Sequence, residues 1–328
     1  MRNIPEYLLN EYDLEVYRSQ YNRNNFILDT NKGKYILRKV NMQQDQVAFI
    51  YETSNHLRKH GFYQIPSIYP TKKKLPYVNI AGQIYMLQAY QNSSEIEFKN
   101  IEDIKSTVRL LANFHKCGFD LKSSIVRPIH MKDLYSYFIK RSKETKTLKK
   151  TIQPLAQKTE FEEMFLKDYK EYLDLENLAI TCINPDSCQS LIKHATLNKT
   201  LCHNDYKYHS VGRINNQINL LNIDKCGINM QVEDLSSILS KIMQKNDWDI
   251  DFLTILLEEY ENIRPLLAEE RAILKALLIF PEKFASMCNE YLQCKRRNNY
   301  SMFSVKWENM LLYKEKQIKA SKYIKENL

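Results

Sequence analysis

The sequence predicts a two-part α+β protein, with a small antiparallel sheet and one helix over residues 1–92 and a mostly helical part over 93–328. Three observations predict it. Short alternating apolar runs broken by turn residues crowd the first part. After Ser93 the apolar residues recur at helical spacing over long stretches. The chain, at 328 residues, is long for one compact core.

NFILD (25–29) and KYILRKV (34–40) alternate around TNKG, whose Gly33 supplies the positive φ of a tight turn, so a hairpin is expected. DQVAFIYETSNHLRKHGF (45–62) spreads Val47, Ile50 and Leu57 over a helical face and stops at Gly61. YVNIAGQIYMLQAY (77–90) repeats the strand pattern, with Ala81-Gly82 at its turn. Helices are expected over 101–116, 131–150, 160–180, 232–246, 250–263, 266–280, 282–294 and 304–326. They are interrupted once, by LCHNDYKYHSVG (201–212) and two short strands turning at Asn215-Asn216. With no linker-like segment, the two parts are expected to join by a short hinge near Tyr90 to Ser94.

Composition narrows the function classes. Hydrophobic residues make up 44% and charged residues 27%, as in globular rather than disordered or membrane chains. No apolar run reaches membrane-spanning length, and no signal-peptide pattern is present, so neither secretion nor a membrane span is expected. The seven cysteines include no CxxC pair, which favours neither disulfides nor zinc and suggests synthesis in a reducing cytoplasm. Of the net charge of +9, the stretch from Lys295 onward supplies +6, and a second basic run is IKRSKETKTLKKT (139–151). Both read as solvated helical faces, and no nucleic-acid motif accompanies them. Phe303, Trp307, Leu311 and Ile318 mark a face expected to dock on the protein's own core. His115, His130 and His209 read as packing or capping residues, and Cys202 and Cys226 as small buried apolar ones.

The chemistry concentrates in LCHNDYKYHSVG. Phosphoryl transfer in kinases uses a loop Asp, an Asn five residues later and a metal-binding Asp after a hairpin. His203 and Asp205 supply the loop, Ser210 lies five beyond Asp205, and Asp224 lies nineteen beyond it at the end of LLNID. Singly, Asp205 and Asp224 read as caps of backbone amides. Together with His203 and the intervening hairpin, they read as a phosphotransferase centre.

In these segments the chain resembles the kinase-like aminoglycoside phosphotransferase and choline kinase superfamily, and within it the CotS-type bacterial spore coat proteins. KYILRKV, HLRKHGF, QIYMLQAY, LLANFHKCGF, LCHNDYKYHSV, NIDKCGINMQVEDLSSIL, KNDWDIDFLTILLEEY and VKWENMLLYKEKQIKAS carry the resemblance in order over nearly the whole chain. It implies a bilobal protein-kinase-like fold with an antiparallel-sheet N-lobe and a helical C-lobe. It also implies ATP and Mg2+ as cofactors, and a small-molecule hydroxyl as acceptor. By this resemblance Asp205 is the catalytic base, Asp224 and Ser210 hold metal, and His203 and Asp234 are structural at the site. Arg38 takes the place of the phosphate-contacting Lys, with Glu52, fourteen residues on, as its ion-pair partner; Gln88 and Tyr90 lie on the strand entering the hinge as further nucleotide contacts. Departures are Ser210 where the family has Asn, Lys225 beside the metal Asp, and Asn-Arg-Asn-Asn (22–25) where a Gly-rich phosphate cover would stand. Two readings therefore stand side by side: a phosphotransferase, or a catalytically impaired kinase scaffold serving assembly of the spore coat with other coat proteins.

Overall fold

The computed structural model describes residues 9–22, 25–125, 131–294 and 300–328. Arg23 and Asn24, within the stretch read as the phosphate cover, and His130 lie outside these. The chain divides into two compact units: the described residues of Met1–Ile129 with Asn198–Asn229, and those of His130–Leu197 with Met230–Leu328.

The first unit is built on six antiparallel strands: β1 (Val16–Asn22), β2 (Asn25–Thr30), β3 (Gly33–Val40), β4 (Ile68–Tyr69), β5 (Val78–Ile80) and β6 (Gln83–Ala89). Their order is β1-β2-β3-β6-β4, with β5 on β6. The expected turns are present. Gly33 has φ +111, Ala81 and Gly82 have +48 and +81, and Thr30 Oγ1 donates to the Gly33 carbonyl (2.7 Å). Alternation puts Leu28, Leu37 and Leu87 on one buried face with Tyr12 and Phe26. Helix α1 (Gln44–Lys59) buries Val47, Phe49, Ile50 and Leu57 and ends before Gly61, at φ +88. In α2 (Ile101–Cys117), the Asn100 carboxamide accepts from the Glu102 and Asp103 amides. The unit is completed by the paired strands β7 (Leu201–Cys202) and β10 (Gly227–Ile228) and by the hairpin β8 (Val211–Ile214)–β9 (Gln217–Leu220). Its two-residue turn uses Asn215 and Asn216, at φ +48 and +63, since asparagine tolerates the left-handed region best among residues with a Cβ.

The second unit contains α3 (Leu134–Ile152), α4 (Glu160–Thr181), α5 (Pro185–Leu197), α6 (Gln231–Lys245), α7 (Ile250–Glu261), α8 (Ala268–Ile279), α9 (Glu282–Gln293), α10 (Tyr300–Leu311) and α11 (Lys314–Asn327). Two differences from the sequence expectation have local causes. Helix α5 buries only the narrow stripe Cys188, Leu191 and Ala195, too sparse a pattern to stand out. Its start was nonetheless written in Asn184, whose carboxamide accepts from the Ser187 amide (2.7 Å), followed by Pro185. The helix expected over 304–326 breaks at Leu312–Tyr313, because its halves pack on different partners, α10 on α4 and α11 on α8. The predicted core face is real: Trp307 is fully buried, edge-on to Phe161 and Tyr172. Among the described residues, no helix is long and apolar enough to cross a membrane.

Glu176 on α4 is completely buried, accepting a hydrogen bond from Thr145 Oγ1 (2.9 Å). Burial pushes its carboxyl from 4.5 to about 7, with Thr145 opposing. Since the folded pKa lies above the unfolded one, this group's stabilising contribution is complete below about 4.5 and is lost as pH rises through about 7. Its full span is on the order of 3 kcal/mol. Denaturant unfolding at a series of pH values should show Glu176→Gln lacking this decline, so that the wild type loses stability relative to the variant as pH rises.

Candidate active site

The site lies wholly within the first unit and starts from strand alternation. Leu37 faces the core, which turns Arg38 to the other face; Arg38 stands opposite Met86 of β6, leaving Gln88 as its diagonal neighbour. One Arg38 guanidinium nitrogen donates to Gln88 Oε1 (3.0 Å) and to Asp224 Oδ1 (3.1 Å), and the other donates to Asp224 Oδ2 (2.5 Å). The fork of the guanidinium matches the two carboxylate oxygens, a fit an ammonium could not make. Gln88 is buried, whereas the Arg38 and Asp224 side chains are about one-fifth exposed, open enough for a ligand to reach them.

The loop carrying Asp205 is held from several sides. Leu201 N–H donates to the Gly118 carbonyl (2.9 Å), laying β7 against the end of α2. The Tyr206 hydroxyl donates to the Thr107 carbonyl of α2 (2.7 Å) from a fully buried ring. His203 Nδ1 accepts from the Asp205 amide (3.2 Å), which makes Nε2 the protonated nitrogen, donating to the Asn222 carbonyl (2.9 Å). The neutral imidazole thus links the loop to the segment running into Asp224. Asn204, at φ +60, donates to the Cys202 and Lys225 carbonyls and accepts from Asn229. The Ser210 hydroxyl donates to the Asp205 carbonyl (2.5 Å), and the Leu221 amide donates to the Ser210 carbonyl (2.8 Å), closing the loop on itself.

Two cations flank the Asp205 carboxylate, Lys207 Nζ at 2.7 Å from Oδ1 and Lys225 Nζ at 3.8 Å from Oδ2. Partial burial pushes the carboxyl pKa up, but Lys207 and then Lys225 outweigh it and hold it below the ordinary value. Asp205 is therefore an ionised acceptor at neutral pH. A pocket of about 310 Å³ adjoins the loop, lined in part by Ser94, Glu95, Tyr208 and Leu221.

The structure brings together Arg38, Gln88, Asp224 and, on the loop, His203, Asp205 and Ser210. It corrects the partner expected for Arg38. The Glu52 carboxylate accepts from Ser123 Oγ (2.5 Å), Ser124 Oγ (2.8 Å) and Ser124 N–H (3.0 Å), and those bonds offset its burial and hold its pKa low. Arg38 therefore pairs with Asp224 instead. Tyr90 donates its amide to the Lys34 carbonyl (2.9 Å), with Lys34 Nζ over its ring. Asp234 lies in the first turn of α6, in the second unit, and is buried. Cys202 and Cys226 are fully buried, as expected of small apolar residues. Sequence reasoning missed Lys207, although a cation two residues after the loop Asp was in plain view. It also missed the ion pair of Arg213 with Asp103, which no local signal announces across 110 positions.

The family model described as spore coat putative kinase YutH matches residues 5–323. Spore coat protein S of Bacillus subtilis (strain 168) is 21% identical over 295 residues, covering 88% of this chain and 83% of that protein. Among solved structures, an aminoglycoside phosphotransferase from Alicyclobacillus acidocaldarius subsp. acidocaldarius DSM 446 has a TM-score of 0.84 at 15% identity, covering 100% of this chain and 98% of its own. Spectinomycin phosphotransferase APH(9)-Ia, in complex with ADP and spectinomycin, has a TM-score of 0.59 at 15% identity, with 98% and 97% covered. At these identities the likeness is one of fold, the bilobal kinase-like α+β fold.

Gly118 tests how closely the loop depends on its seat. A Cβ there would stand 2.7 Å from Leu201 Cβ and 3.0 Å from the Phe114 carbonyl oxygen, so Ala at this position must displace β7 or α2. Gly118→Ala is expected to lower unfolding free energy by about 1–3 kcal/mol, read as a fall in the denaturant midpoint.

Proposed function

The chain belongs to the spore coat putative kinase YutH family, and on that premise we propose that it binds ATP with a divalent cation and transfers the terminal phosphate to a hydroxyl of a small molecule. The observation that carries this reading is the fork of Arg38 on Asp224 in the unit that also holds the ionised Asp205. A strand cation, a metal-type carboxylate and a base-type carboxylate are the three groups phosphoryl transfer requires.

The residues fit one hard cation well. Asp224 offers two carboxylate oxygens, partly exposed, whose present partner is a cation. A bound magnesium would neutralise charge on the β- and γ-phosphates and hold them in line. With a cation on Asp224, the Arg38 fork would be available to phosphate oxygens, its guanidinium still oriented by Gln88 Oε1. Asp205, kept ionised by its lysines, accepts the hydrogen bond of the acceptor hydroxyl and takes its proton during attack. The pocket beside Ser94 and Tyr208 is the place for the nucleoside. Membership of the family supports the spore coat as the site of action and other spore coat proteins as partners.

A second reading rests on Ser210 and Lys225, two positions where the centre departs from kinase chemistry. In it the protein binds nucleotide without turnover and serves coat assembly. One pair of measurements separates the two. Asp205→Asn should leave the melting temperature and the magnesium-dependent ATP affinity in calorimetry close to wild type while abolishing ATP consumption. ATP binding by a wild type that consumes none in the presence of spore extracts supports the second reading. Unchanged turnover in Asp205→Asn removes Asp205 from the mechanism.

A further inference from the structure

We propose that Lys225 supplies the second positive charge of the phosphate centre, so that the protein holds its nucleotide with one divalent cation, at Asp224, rather than two. This rests on the nucleotide-binding reading above.

The two-ion arrangement needs an oxygen ligand five residues after the base, from an amide that reaches toward the metal. Here that residue is Ser210. Its side chain is 2% exposed, and its proton is directed at the Asp205 carbonyl, 2.5 Å away. Its amide donates to the Lys207 carbonyl (2.7 Å), and its own carbonyl accepts from Leu221. The residue is a brace inside the loop. A serine oxygen is also shorter in reach than the carboxamide it replaces.

Beside Asp224 the chain carries a cation of its own. Lys225 directly follows Asp224, and its backbone is pinned by Asn204, whose carboxamide donates to the Lys225 carbonyl (3.2 Å) and accepts from Asn229 (2.9 Å). Its side chain is 67% exposed and lies 3.8 Å from Asp205 Oδ2, an ion pair rather than a hydrogen bond. The stem is thus anchored at the backbone and exposed at the ammonium. Lys207 already occupies the opposite oxygen, Oδ1, at 2.7 Å, so Asp205 does not need Lys225 to stay ionised. An ammonium carries three donors on a flexible stem and can follow phosphate oxygens. The same charge beside Asp224 repels a second divalent ion, since like charges a few ångströms apart oppose each other strongly outside bulk water. Attraction for phosphate and repulsion of metal lead to the same count.

The experiment measures binding, independently of turnover. Free Mn2+ is counted by electron paramagnetic resonance while the full chain is titrated with a non-hydrolysable ATP analogue whose uptake is followed by calorimetry. The expected result is one Mn2+ per bound nucleotide in the wild type. Lys225→Met, which keeps the stem and loses the charge, should weaken nucleotide binding about tenfold, the loss of one charge-assisted contact. Lys225→Met combined with Ser210→Asn should take up two Mn2+ per nucleotide. Two ions per nucleotide in the wild type, or unchanged affinity in Lys225→Met with an unchanged melting temperature, overturns the role of Lys225 and leaves nucleotide binding standing. Absence of nucleotide uptake by the wild type overturns the nucleotide reading itself, and with it this inference.

Discussion

The fork of Arg38 on Asp224 is the contact on which the site depends, because it joins a sheet strand to a turn 186 residues later. Its value is geometric more than energetic. Partly exposed ion pairs contribute about 0.2–1 kcal/mol, too little to hold a fold. Two parallel hydrogen bonds, with Gln88 as a third point, nevertheless fix where the carboxylate lies relative to the sheet. A lysine at position 38 would keep the charge and lose that definition. The same pair also answers an electrostatic problem: the half-buried Asp224 carboxylate carries a resident counter-charge.

The loop that carries Asp205 is held to the same end by neutral groups. The His203 imidazole, the Asn204–Asn229 carboxamides, the Tyr206 hydroxyl and the Ser210 hydroxyl each bind a backbone carbonyl or one another. These buried polar groups are satisfied, so the loop avoids the desolvation cost that an open polar loop would incur. Rigidity at the backbone is paired with freedom at the tips. Lys207 and Lys225 extend from fixed main chain toward solvent beside the Asp205 carboxylate.

Much of the fold was legible. Turns at Gly33, Ala81-Gly82 and Asn215-Asn216 were readable because left-handed φ admits few residue types. The long helices were readable from apolar period. Helix α5 was not, since three buried side chains are too few to make a face, nor was the break before Tyr313, which arises from where two helix halves pack. At the site, the spacing of Asp205, Ser210 and Asp224 drew attention to the loop and the turn from sequence alone. Glu52 shows the limit: its position on α1 suited an ion pair with Arg38, yet Ser123 and Ser124, distant in sequence, took its carboxylate.

The sequence by itself determined the family, the order of sheet and helices, and the residue types at the candidate site, because these reside in local pattern and in spacing along the chain. Only the tertiary structure decided which charges meet. It paired Arg38 with Asp224 and not Glu52, placed Lys207 and Lys225 on opposite oxygens of Asp205, and turned Ser210 inward to its own loop. Such choices depend on side-chain reach and on which backbone groups need partners, and both are settled when distant segments pack.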